Sequence, residues 1–208
     1  MNRMFLTAVS LAALGTVHSA QALVLFESVP DQSTGSATFA NAGSTRVGRL
    51  TVLDAETIGA IGVLNNLENG ANLKFFIADA TTGALLYVSA PKAFAAETGQ
   101  NLNLTYKVSD GLSFTFLPGT TYAVGSIADD VSYTFIDPVQ TNAALGFTSL
   151  SGNLTVSGYA APVLDTATNC CSVGFELLDA PQAVPEPGSF IVLAAGVLGL
   201  GVARSRRD

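Results

Sequence analysis

Along the middle of this chain, short runs alternate apolar and polar residues or are rich in β-branched and aromatic ones. Turn residues interrupt them roughly every eight to twelve positions, the rhythm of an all-β fold. The pattern predicts strands over Ser36–Phe39, Val47–Leu53, Thr57–Leu64, Leu73–Ala78, Leu85–Ser89, Leu102–Val108, Ser113–Phe116 and Tyr122–Ile127. Four more follow over Tyr133–Ile136, Leu145–Leu150, Asn153–Tyr159 and Val173–Leu178. Asn69-Gly70, Thr82-Gly83 and Asp110-Gly111 read as hairpin turns, because glycine enters positive φ without a Cβ clash. Pro118-Gly119 reads as a turn in which proline presets φ. Within this middle part, helix is expected only over Pro91–Gly99, at most two turns. No fixed-period repeat is present, which excludes a solenoid. These elements predict an all-β, antiparallel two-sheet sandwich, jelly-roll-like in kind.

The two ends break this pattern. Met1-Asn2-Arg3 is a short positive segment, Met4–Val17 is apolar, and Ala20-Gln21-Ala22 puts small residues where a signal peptidase reads. An N-terminal signal helix over 1–22, cleaved after Ala22, is expected. The alternative, a membrane anchor, wants about 20 apolar residues, more than this run supplies. At the other end, Val184-Pro185-Glu186-Pro187 precedes an apolar segment, 190–203, and a basic end, 204–208, with Arg204, Arg206 and Arg207. The predicted order is signal 1–22, sandwich 23–179, linker 180–189, transmembrane segment 190–203 and cytoplasmic end 204–208. The arginines stop transfer on the inner side of the membrane. At 1.5 Å per residue the apolar segment spans about 21 Å of a core of about 30 Å, a marginal anchor.

Charge narrows the partners. From Leu23 to Pro185 there are five basic residues against fourteen acidic ones. Phosphate binding needs clustered Lys and Arg, so nucleic acid is disfavoured as a partner. Docking on anionic lipid is disfavoured for the same reason.

Absences narrow the chemistry. The single histidine, His18, lies in the signal segment, so the mature chain has no Ser-His-Asp or Cys-His catalysis and no His-ligated zinc. No catalytic residue, cofactor or metal is assigned, and an enzyme is not expected. Asp129, Asp130 and Asp137 are a weak calcium candidate, since oxygen-rich loops bind that ion. There is no tryptophan for sugar stacking, leaving Tyr106, Tyr122 and Tyr133 as candidates. Cys170 and Cys171 are neighbours, with three readings: a strained vicinal disulfide, two free thiols, or cross-links to other chains. Asn103-Leu104-Thr105 and Asn153-Leu154-Thr155 match glycosylation sequons but fall inside predicted strands.

The C-terminal triad of Pro-Glu-Pro motif, apolar segment and arginine-rich end resembles the PEP-CTERM signal of bacterial surface proteins. The segments Thr57–Val63, Leu73–Asp79, Thr82–Leu86 and Leu117–Gly125 resemble β-sandwich domains that often precede such tags. The resemblance implies a membrane-embedded cysteine protease, an exosortase, as partner, with Val184, Pro185, Glu186 and Pro187 as its recognition residues. It also implies release of the body to the cell surface or the extracellular polysaccharide matrix. Two prolines around Glu186 stiffen the backbone and remove two N–H donors, which makes a preformed ligand.

The expected function is therefore an exported, non-enzymatic surface or matrix protein, with signal peptidase and an exosortase-type protease as processing partners and only transient residence in the inner membrane. One alternative is a carbohydrate-binding or adhesion module acting on exopolysaccharide. A minor one is a glycan hydrolase using paired carboxylates, which needs no histidine.

Overall fold

A computed structural model describes residues 22–29, 35–97, 104–137, 143–144 and 146–180. The signal segment, the linker beyond residue 180, the apolar segment and the basic end lie outside the described residues. All described residues belong to one compact unit, Ala22–Pro181. They form strands and turns, with no helix among them.

Two antiparallel sheets carry the architecture and curl as a half-barrel. The first runs β1 (Val24–Glu27), β17 (Phe175–Leu178), β5 (Ala60–Asn66), β12 (Ser132–Asp137), β16 (Ser172–Val173). Here β2 (Ser36–Ala40) also pairs β12, and β9 (Thr105–Val108) pairs β5. The second runs β13 (Ala143–Ala144), β14 (Phe147–Ser157), β3 (Ser44–Val52), β11 (Tyr122–Ala128), β6 (Ala71–Asp79), β7 (Leu85–Val88). In it β15 (Val163–Asp165) flanks β14 and β8 (Lys92–Phe94) flanks β6. A small ribbon joins β4 (Glu56–Ile58) to β10 (Phe114–Phe116).

Side-chain alternation explains where the core sits. Phe26, Ile61, Val63, Phe175 and Leu177 of the first sheet meet Leu50, Leu73, Phe75, Ile77, Val124 and Phe147 of the second in one buried cluster. Residues of opposite parity on β6 and β11, namely Phe76, Ala78, Ala123 and Ile127, pack instead with Leu154, Val156 and Leu164 of β14 and β15. The central strands are thus buried on both faces, and β11 is buried along its whole length. The register shift in β14 between Leu150 and Leu154, at Gly152 with φ +85°, marks where that strand bends.

Several expectations are corrected. Pro91–Gly99 is not helical where described: Lys92–Phe94 is β8, paired with Ala71–Leu73. The edge of β6 needs a hydrogen-bonding partner, and that tertiary demand overrides a short helical composition. The run Thr57–Leu64 breaks at Gly59, where a Cβ would strike the backbone of Asp179 and Ala180. Leu145–Leu150 and Asn153–Tyr159 contribute to one strand, β14, continuous through its bulge. Of the three predicted hairpin turns, only Thr82-Gly83 closes one, β6 to β7, with Gly83 at φ +76°. Asn69-Gly70 and Asp110-Gly111 instead carry the chain between different sheets, and Gly111 does not take positive φ. Strands β1, β8, β13 and β15 lie outside every predicted strand.

Candidate functional site

One end of the second sheet holds an open groove of about 530 Å³. The turn before β6 supplies Asn69 and Gly70, β6 supplies Asn72, β8 supplies Phe94, and the β11–β12 loop supplies Asp129 and Asp130. Alanines 71, 93, 95 and 96 complete the lining and leave the space unfilled. Both carboxylate oxygens of Asp129 are fixed: the Asn72 backbone N–H donates to Oδ1 at 2.8 Å and Asn72 Nδ2 donates to Oδ2 at 2.6 Å. Asp130 Oδ1 accepts from the Val131 N–H at 2.7 Å. The groove therefore offers a pinned acceptor, an aromatic edge and no cation.

The calcium candidate does not hold as a set. Asp129 and Asp130 precede β12 and Asp137 ends it, so a strand of about 20 Å separates them, and Asp137 is buried. Among the described residues, no group of three or more His, Cys, Asp or Glu is placed to hold a metal.

A second polar cluster lies on the outer face of the first sheet. Glu27 of β1 is the cross-strand partner of Glu176 of β17, and Glu176 faces Gly62 of β5. Glu176 lies flat over that glycine, where a Cβ would collide with its Cγ and Oε1. On the far side of β5, Tyr106 donates its hydroxyl to Glu27 Oε1 at 2.6 Å. Glu176 is 8% exposed. Burial first, and the Glu27 carboxylate second, push it up to about 6. Burial, then the bond to Glu27, raise the Tyr106 phenol as well. Glu176 so placed holds a proton more readily than an isolated carboxyl group.

The candidate stacking tyrosines separate. Tyr122 is in the core, its hydroxyl accepting the Leu117 N–H at 2.8 Å. Tyr106 is committed to Glu27. Tyr133 is half-buried and packs edge-on against exposed Phe39, with ring centroids 5.5 Å apart.

Cys170 is exposed and Cys171 half-buried, both as thiols. Their sulfurs are 2.6 Å apart. Cys171 has φ +74° and is the non-glycine residue with positive φ among the described ones. Asn153, fully buried in the β14 bulge, donates Nδ2 to the carbonyls of both cysteines. That burial removes its sequon from any glycosylation machinery; Asn103 lies outside the described residues.

Sequence reasoning passed over Asn72, Phe94, Glu27 and Glu176. For the two glutamates a signal existed: each is the single charge in a short apolar strand, VLFE or FELL. The roles of Asn72 and Phe94 arise only from a groove built by three separate segments.

Val184, Pro185, Glu186, Pro187, Arg204, Arg206, Arg207 and Ala20 lie outside the described residues, while Ala22 is the first described one. No curated protein and no solved structure matches the chain. Residues 183–207 match the family described as the PEP-CTERM protein-sorting motif. Behind an all-β, sandwich-like body, the chain thus carries a PEP-CTERM sorting motif.

Proposed function

We propose that this protein is a non-enzymatic surface or matrix component, delivered by its own tail. The motif at 183–207 carries the reading. It supports export, anchorage of the C-terminus in the inner membrane, and processing by an exosortase-type protease that grips Val184–Pro187. The jelly-roll-like body is then left at the cell surface or in the extracellular matrix. The test replaces Pro185, Glu186 and Pro187 with alanine in a host that has the protease. The expected variant stays in the inner membrane at its unprocessed mass. Processing to the same mass as the native protein, with unchanged surface delivery, would refute the reading.

A second reading, binding of exopolysaccharide, is favoured by the groove between β6, β8 and the β11–β12 loop. Its volume falls in the ligand-cleft range of about 300–1,000 Å³. Asp129 and Asn72 suit the hydroxyls of a neutral sugar, and Phe94 suits its apolar face. The acidic body opposes anionic polymers. A neutral glycan retained by the native protein and released by Asp129→Ala supports it; equal retention by both proteins rejects it.

A further inference from the structure

We infer that Cys170 and Cys171 form a redox site that closes as a vicinal disulfide within one chain, with Asn153 as its positioning residue. Adjacent cysteines in an ordinary extended or helical backbone hold their side chains apart, and ring closure needs an unusual backbone conformation. Here the backbone has left the ordinary regions at Cys171, and the two sulfurs already stand 2.6 Å apart. Cys171 sits at φ +74°, a region L-residues rarely enter without over-determining contacts. The contacts are visible: the Asn153 amide bonds both cysteine carbonyls, and the Asn169 N–H donates to the Asn153 carbonyl at 2.8 Å. Asn153 is anchored in turn by complete burial in β14, and Arg46 Nη1 reaches its Oδ1 at 3.4 Å. The clamp therefore fixes the loop backbone from the sheet, whatever the state of the sulfurs.

The chemistry balances with a disulfide oxidant, such as oxidised glutathione or a thiol oxidase of an exported compartment. Cys170 is the exposed sulfur, so it is the one that reaches and attacks the oxidant, losing its proton as the bond forms. A mixed disulfide forms and one oxidant thiol leaves. Cys171, deprotonated in its turn, then attacks Cys170 Sγ and displaces the second oxidant thiol. Two protons and two electrons leave the pair, and the oxidant's S–S bond becomes two thiols. The exposure of Cys170 leaves the ring open to the reverse exchange, so the site reports the redox poise of its surroundings.

The test uses the full chain, purified in detergent, equilibrated with oxidised glutathione, quenched with N-ethylmaleimide and cut before aspartate. Cleavage before Asp165 and Asp179 leaves both cysteines on one peptide. The expected peptide is about 2 Da lighter than the dithiol, carries no adduct, and takes two adducts after reduction. Peptides joined to a second chain, or two adducts without reduction, would overturn the inference. Asn153→Ala is expected to lower the closed fraction several-fold at a fixed glutathione ratio. If the native peptide closes and this variant closes equally, the positioning role of Asn153 is refuted. Because the oxidant is added in vitro, the result does not depend on whether the tail sorts the protein.

Discussion

Replacing Glu176 with glutamine should stabilise the protein at neutral pH. The side chain is buried over Gly62 and opposite Glu27, and its pKa stands at about 6 against an ordinary 4.5. That gap of about 1.5 corresponds to about 2 kcal/mol at roughly 1.36 kcal/mol per pH unit, an upper limit because local relaxation softens the burial. Between the two values the folded protein binds the proton more tightly than the unfolded one. This contribution is fully present below about 4.5, declines as pH rises through about 6, and is absent above it. Glutamine keeps the shape and never ionises. Urea and thermal unfolding of the exported protein at about pH 4 and about pH 7.5 would compare the two. At about pH 7.5 Glu176→Gln should gain up to about 2 kcal/mol, or roughly 4–8 °C in Tm for a body of this size. At about pH 4 the difference should vanish to within about 0.5 kcal/mol. A variant equally stable, or less stable, at the higher pH would refute the argument that the Glu176 charge is buried without a compensating donor.

Lys107→Ala should cost about 3 kcal/mol, read as a lower urea midpoint, because the buried ammonium bonds Glu97 at 2.8 Å and its loss leaves a part-buried carboxylate without its counter-charge. Phe75→Ala should cost about 3–5 kcal/mol in the same assay, since the ring is fully buried in the cluster between the sheets. Gly83→Ala should cost about 1–2 kcal/mol, because φ +76° closes the β6–β7 hairpin. A cost within error for Gly83→Ala would show that the hairpin relaxes to another turn.

What was legible in the sequence followed from local pattern. The alternation in β3 and β6 and the apolar run of β11 survive because their faces are set by the side chains themselves. Strands that exist only as partners were not legible. Lys92–Phe94 has a helical composition and becomes β8 because Ala71–Leu73 lacks another neighbour on that side. Asn69-Gly70 turns the chain as its chemistry requires, with Gly70 at φ +74°, yet leads into the other sheet. Turn chemistry fixes a reversal; it does not choose which sheet receives the next strand. The sorting motif was legible in full, since a recognition signal of this kind is written in contiguous residues. The groove was not, because Asn72, Phe94 and Asp129 come together only after three segments pack.

The pairing of β1 with β17 has a consequence for timing. The first strand of the body finds its neighbour in the last, with Glu27 opposite Glu176, and the Asp179 N–H donates to the Leu23 carbonyl at 2.9 Å. A chain threaded through a membrane from its N-terminus delivers Val24–Glu27 early and Phe175–Leu178 late. Throughout that interval β1 waits with its hydrogen-bonding edge and Phe26 exposed, an invitation to holding chaperones and to misassembly. Completion of the sheet is thus a post-translocation event, and any delay in bringing the last strand across prolongs the vulnerable state.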